Sequence, residues 1–273
     1  MTFRLAFGLA FALLLAACGS RTASPGTVSC CDPTAPHVEL TVFAAASLKG
    51  ALDQVKVAYE TGDESVTLTI STDSSAALET QIEQGAPADV FLSADTASPT
   101  KLVDGGFALG DAVVFAMNAL TIIVPTGNPA GIATPADLAN PGVRIIAAGD
   151  EVPITKYAKK LIENLAANSA DATAFTAACT SNTVTRVENV KAIVAQIELG
   201  QGDAGIVYVT DANASKKVET IEVPPDLNVP ATYAGVVVKA SANAAAARAF
   251  LAWFAGVDGQ AILATLGFLP PAP

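Results

Sequence analysis

The chain has 273 residues, 51% hydrophobic and 6% aromatic, with a formal net charge of −11. That acidity excludes a basic nucleic-acid footprint, so no nucleic-acid partner is expected. Any anion bound here must be held by local dipoles and hydroxyls, not drawn in by the global field. The length admits one large domain or two small ones.

The N-terminus reads as an export signal. Arg4 precedes a short apolar run over residues 5–17, which is too short to span a bilayer comfortably. The run ends in Leu15-Ala16-Ala17-Cys18, which resembles a bacterial lipobox. The resemblance implies that residues 1–18 are a lipoprotein signal and that Cys18 carries the lipid that anchors the mature chain. An ordinary signal peptide with a chance cysteine is the alternative. Residues 19–37 are rich in Ser, Thr, Pro and Gly without periodicity, and read as a flexible tether. The tether carries Cys30 and Cys31, and Cys179 lies far downstream. An exported chain can form disulfides. A bond from one of the pair to Cys179, or free thiols in the tail, both remain open.

Residues 40–43 are apolar and strand-like. After Ala44-Ala45-Ala46 the pattern changes: Leu48, Leu52, Val55 and Tyr59 recur at helical spacing. Ser47 sits at the junction, where an N-cap belongs. It can be a cap, or an anion donor at a helix N-terminus, or both. The motif then repeats. A β-branched strand over 66–70 leads through Ser71-Thr72-Asp73-Ser74-Ser75 into a helix over 76–84 with Leu78 and Ile82 on one face. Gly85-Ala86-Pro87 stops that helix, residues 88–92 read as a buried strand, and 101–107 close a short helix.

The pattern restarts near residue 120. Residues 120–124 and 143–147 read as strands, and residues 149–153 as a turn. Tyr157, Leu161, Ile162 and Leu165 form a helical stripe that starts at Ile154 or Thr155; Lys156 could add a charge near the cleft, although its place in the helix points it outward. Asn189 opens a helix with Val190, Ile193, Val194 and Ile197 apolar. Residues 204–209 are a buried strand ending near Tyr208. A late strand over 236–239 and a helix over 243–254 complete the series. Strands alternating with helices mean an α/β chain with mostly parallel sheets, whose ligands sit at the carboxyl ends of strands. The restart points to two similar lobes with a cleft between them.

Much chemistry is missing. The single histidine, His37, lies in the tether, which excludes a Ser-His-Asp site and disfavours a His-based metal site. No nucleophile elbow, dinucleotide fingerprint or Walker motif is present. Asp89 and Asp95 flank a strand, which keeps a carboxylate-dependent hydrolase as the alternative of a different class. No enzyme and no cofactor are expected.

Three runs then stand out: VFAAASL over 42–48, GAPADV over 85–90 followed by Ser93-Ala94-Asp95, and GIVY over 205–208 followed by Asp211-Ala212. Together they resemble the periplasmic molybdate-binding proteins of molybdate ABC transporters, over roughly residues 38–268. The resemblance implies a two-lobed type II periplasmic-binding-protein fold. Lobe 1 would comprise residues 38–119 and 231–273, and lobe 2 residues 120–230. It implies a tetrahedral oxyanion, molybdate or tungstate, held by neutral donors: Ser47, Ser75, the Ile154 amide after Val152-Pro153, the Val190 amide, and the Tyr208 hydroxyl. It further implies an extracytoplasmic, lipid-anchored monomer that delivers its anion to a membrane ABC permease. A same-fold protein for another oxyanion, such as sulfate or phosphate, is the nearest alternative. The turn before Val152-Pro153 is shorter than is usual in that family, and Ile154-Thr155-Lys156 replaces smaller residues.

Overall fold

The computed structural model describes residues 37–271. The leader, Cys18, the tether up to residue 36, and Cys30 and Cys31 lie outside the described residues. Strand β1 (Val38–Ala45) starts where the tether was expected to end. A 3-10 turn (Ala46–Leu48) follows, then helix α1 (Lys49–Gly62), whose Leu48, Leu52, Val55 and Tyr59 are buried as their spacing predicts. Then come β2 (Val66–Asp73), α2 (Ser75–Glu83), β3 (Val90–Ser93), α3 (Ala97–Asp104) and β4 (Val113–Asn118).

The second half runs β5 (Leu120–Pro125), a 3-10 turn (Pro135–Ala139), β6 (Ile145–Ala148), α4 (Pro153–Ala167) and α5 (Ala172–Asn182). It continues with β7 (Thr183–Val187), α6 (Val190–Glu198), β8 (Ala204–Tyr208), α7 (Val209–Asn213) and β9 (Val218–Ile221). Strand β10 (Ala231–Val237) and helices α8 (Ala244–Ala255) and α9 (Val257–Thr265) finish the chain. Among the described residues no helix is long and apolar enough to cross a membrane.

Two five-stranded sheets form, ordered β2-β1-β3-β10-β4 and β7-β6-β8-β5-β9. In each, the strand second from one edge runs against the other four. That reversed strand, β5 in one sheet and β10 in the other, is the first strand after the chain crosses between lobes. The crossings fall at Ala119 and between β9 and β10. The result is an α/β fold of two lobes, each a mostly parallel sheet flanked by helices.

Parallel strands covered on both faces should be apolar throughout, and β3 is buried at all four positions. Val90 and Leu92 join the main core, which runs through both lobes, while Phe91 faces a smaller cluster with Phe43, Leu78, Ile82 and Leu102. Gly205 serves close packing in the second lobe. A Cβ there would stand 2.6 Å from Ile193 Cγ2, so a side chain would push α6 off the sheet. An aromatic row bridges the lobes: Tyr157–Tyr208 at 6.3 Å, Tyr208–Tyr233 at 5.6 Å and Tyr233–Phe268 at 5.5 Å between ring centres. Cys179 is buried within α5. Its thiol is pushed up to about 11 by burial, which makes it a poor nucleophile.

Candidate oxyanion site

Register brings the loops of lobe 1 together. β1 and β2 pair in parallel from Val38↔Val66 to Ala45↔Asp73, so both strands end side by side. Ser47 therefore lies next to Ser74 and Ser75. In lobe 2, Ala148 at the end of β6 pairs with Val187 at the end of β7. This puts the starts of α4 and α6 together. The two sets of strand ends face each other across a small, narrow cavity. Ser47, Ser75, Ile154, Val190 and Tyr208 all line it, with Asp73, Ser74, Ala94 and Asn189 among their neighbours. The five residues named from the sequence thus meet in one place, although the lobes that carry them are far apart in the chain.

Each helix start leaves specific amides free. The first N–H groups of a helix have no partner inside it and carry a partial positive charge. In α2 the Ser74 hydroxyl accepts from the Ala77 amide at 3.2 Å, which leaves the amides before it unclaimed by the cap. In α6 the Asn189 side chain does the same for Ala192 at 3.1 Å, leaving the Val190 amide. In α4 the first residue is Pro153, which has no N–H, so Ile154 supplies the first amide of that helix. The Thr155 hydroxyl donates to Ala148 O at 3.0 Å and ties this helix start to the end of β6.

The three hydroxyls differ. Ser75 Oγ accepts from the Ala94 amide at 3.0 Å and is almost wholly buried. Ser47 does not cap its helix, contrary to the expectation from its position. Leu48 occupies the N-cap of α1, a 3-10 turn intervenes, and no side-chain cap bond forms. Ser47 Oγ instead accepts from the Tyr233 hydroxyl at 3.0 Å. The Tyr208 hydroxyl is buried with no hydrogen-bond partner among the described residues. Such a group carries a desolvation cost that a bound acceptor would relieve. Burial raises the Tyr208 phenol well above its ordinary value, helped by the nearby Tyr233, Tyr157 and acidic groups, so it stays protonated and able to donate.

Among the described residues no lysine, arginine or histidine lines the cavity. The one charged lining residue among the described residues is Asp73, whose Oδ1 accepts from the Ser74 amide at 2.7 Å and from Asn189 Nδ2 at 3.2 Å. The second of these bonds crosses the cleft. A further bridge comes from Lys156, which was expected to point outward. Its Nζ lies 3.5 Å from Asp95 Oδ2 in the opposite lobe. Behind the site, Lys191 Nζ lies 2.8 Å from Oδ1 of the fully buried Asp211, an ion pair without good hydrogen-bond alignment. Burial raises the Asp211 pKa, and Lys191 pulls it back.

Asp89 and Asp95 are occupied by structural duties. Asp89 accepts from the Thr41 amide at 2.8 Å and the Ser241 hydroxyl at 2.5 Å. Asp95 accepts from the Ser93 hydroxyl at 2.9 Å and the Ser98 amide at 3.0 Å. Among the described residues no cluster of His, Cys, Asp or Glu is arranged to hold a metal ion. The arrangement suits a small anion gripped by neutral donors. Sequence reasoning missed Asp73 and Tyr233 as parts of this site, and favoured an outward Lys156 over one near the cleft. The position of Asp73 immediately before Ser74-Ser75 was a usable signal. Tyr233 gave none, because its role depends on a contact between distant strands.

Comparison with known proteins agrees with this architecture. Residues 40–269 match the family model described as bacterial extracellular solute-binding protein. The molybdate-binding protein ModA of Mycobacterium tuberculosis is 35% identical over 271 residues, covering 98% of this chain and 98% of that protein. Among solved structures, the periplasmic molybdate-binding protein of Azotobacter vinelandii superposes with a TM-score of 0.72 at 27% identity, covering 85% of this chain and 100% of that one. The sulfate-binding protein SubI of Mycobacterium tuberculosis superposes with a TM-score of 0.76 at 23% identity, covering 87% of this chain and 88% of that one, a likeness of fold alone. The chain belongs to the bacterial extracellular solute-binding protein family, and its relatives there include molybdate-binding proteins.

Proposed function

We propose that this protein binds molybdate, or the similarly sized and charged tungstate, outside the cytoplasm and delivers it to an ABC permease. The observation that carries the reading is the convergence of Ser47, Ser75, Ile154, Val190 and Tyr208 on one cavity that no cation among the described residues lines. An ionised oxyanion leaving water needs a hydrogen bond to every oxygen. Two serines, a tyrosine and the free amides of three helix starts supply donors from both lobes. The match to molybdate-binding relatives along nearly the whole chain supports the choice of anion. Molybdate and sulfate are both dianions at neutral pH, so selection between them rests on cavity size.

Residues 38–119 with 231–273 form one lobe and residues 120–230 the other. A ligand that bonds to both favours the closed form by its differential contacts. The protein binds its anion without transforming it and needs no cofactor. It acts as a monomer held at the membrane by lipid on Cys18, after removal of the leader.

A thermal-shift panel tests the reading. A ligand that binds only the folded state raises stability by RT ln(1 + [L]/Kd), about 2.7 kcal/mol at a hundredfold excess over Kd. Sodium molybdate and sodium tungstate should raise the melting temperature, while sulfate and phosphate at equal concentration should not. A rise with sulfate or phosphate instead would reassign the anion, and no rise with any of them would dismiss the oxyanion reading.

A further inference from the structure

Tyr233 stands on β10 with its side chain fully buried. Its ring meets Phe115 at 6.1 Å, Tyr208 at 5.6 Å and Phe268 at 5.5 Å, all edge-on. Apolar packing alone would be served as well by phenylalanine. The hydroxyl is what needs an account, and it lies 3.0 Å from Ser47 Oγ.

The direction of that bond decides what Ser47 can do. A serine hydroxyl has one proton and two lone pairs. If the proton went to Tyr233, only lone pairs would face the cavity, and an oxyanion would be repelled there. If Tyr233 donates, the serine proton remains for the anion.

The acidity of the two groups sets the direction. A phenol is a far stronger acid than an alkyl alcohol, so it is the better donor of the two. Burial raises the Tyr233 phenol well above its ordinary value, so it keeps a proton to give to Ser47. Hydrogen bonds in a chain polarise one another, so a serine that accepts becomes a stronger donor.

We propose that Tyr233 is a positioning residue for anion binding: by donating to Ser47 Oγ it commits the serine proton to the cavity. The inference rests on Ser47 being an anion donor. It places a residue outside the cavity lining in control of a group inside it.

Calorimetric titration of the full chain with sodium molybdate tests this through double-mutant cycles. Tyr233→Phe keeps the ring and removes the hydroxyl. It should weaken binding by about 3- to 10-fold, the range of one neutral hydrogen bond. In a Ser47→Ala background the same change should have almost no effect, because no serine proton is left to direct. In a Ser75→Ala background it should cost its full factor. Equal losses in both backgrounds, or no loss in the parent, would overturn the proposal. If Ser47→Ala alone binds molybdate like the parent, the serine is not an anion donor, and the site reading fails together with this one. If Ser47→Ala loses affinity while Tyr233→Phe is simply additive, only the role of Tyr233 fails.

Discussion

Asn189 Nδ2 lies 3.2 Å from Asp73 Oδ1, so the residue that caps α6 in one lobe is bonded to the last residue of β2 in the other. The bond holds the cleft closed at its edge. It also places a carboxylate in the lining of a cavity suited to anions. Asp73→Asn keeps an acceptor for Asn189 and removes the charge. Repulsion of order 1 kcal/mol would disappear even at the dielectric of water, so molybdate should bind a few-fold to about tenfold more tightly. The gain should shrink as salt is added. Weaker binding in low-salt titrations would mean that the carboxylate contributes more as a latch than it costs as a charge.

Tyr208→Phe separates stability from binding. The Tyr208 hydroxyl is buried without a partner among the described residues, so its loss should leave the ligand-free protein as stable as the parent or more so, by up to about 1–3 kcal/mol. Molybdate affinity should fall on the order of 10- to 100-fold, as expected for one hydrogen bond to a charged group. Urea unfolding of the ligand-free protein and calorimetric titration measure the two effects. A ligand-free protein destabilised by the change would show that the hydroxyl is satisfied within the fold.

Ser75→Ala should behave differently. Its oxygen accepts from the Ala94 amide, which would be left buried and unpaired. A stability loss of about 1–3 kcal/mol should accompany a 10- to 100-fold loss of affinity. Unchanged urea midpoints would show that the amide finds another acceptor.

Alkaline stability follows from the tyrosines. Burial raises Tyr157 to about 12, and raises Tyr208 and Tyr233 well above their ordinary values. Tyr59 is also raised, by burial and then by Asp63. Groups with a raised folded-state pKa give stability that is fully present below the unfolded value, about 10, and is lost as pH rises through the folded values. The melting temperature should therefore fall steeply above about pH 10. Phenolate absorbance should appear only together with unfolding. Native-state phenolate at pH 10–11 would contradict the burial of these rings.

Cys18→Ala tests the anchor. The variant should leave the membrane fraction while binding molybdate like the parent. Continued membrane attachment would show that something other than a lipid on this cysteine holds the protein there.

Strand and helix positions were readable where an element is buried on a regular face. Residues 40–43, 88–92 and 120–124 fall on β1, β3 and β5, each at or near a sheet centre. The strands the pattern missed, β4, β7 and β9, are all at sheet edges, where one side is open and the alternation weak. β7, for example, is exposed at its three central positions. Helix α5 escaped because it buries only Phe175 and Cys179 amid small residues. Helix α9 escaped because Gly259 interrupts its pattern, although that glycine packs where a Cβ would stand 2.1 Å from Phe254 O.

Local sequence determined where strands end and helices begin, and therefore which amides are left free at Ser75, Ile154 and Val190. Those features depend on neighbours a few residues away: a capping Ser74 or Asn189, or a proline at 153 with no N–H to give. Tertiary structure alone decided the partners of the side chains. Ser47 stands where a cap belongs, yet its oxygen takes a proton from a tyrosine 186 residues away. Lys156 was expected to face solvent, yet it reaches Asp95 across the cleft. The physical reason is the same for both. A hydroxyl or an ammonium bonds to whatever the packing of distant strands brings within about 3 Å, and residue spacing along one element carries no record of that meeting.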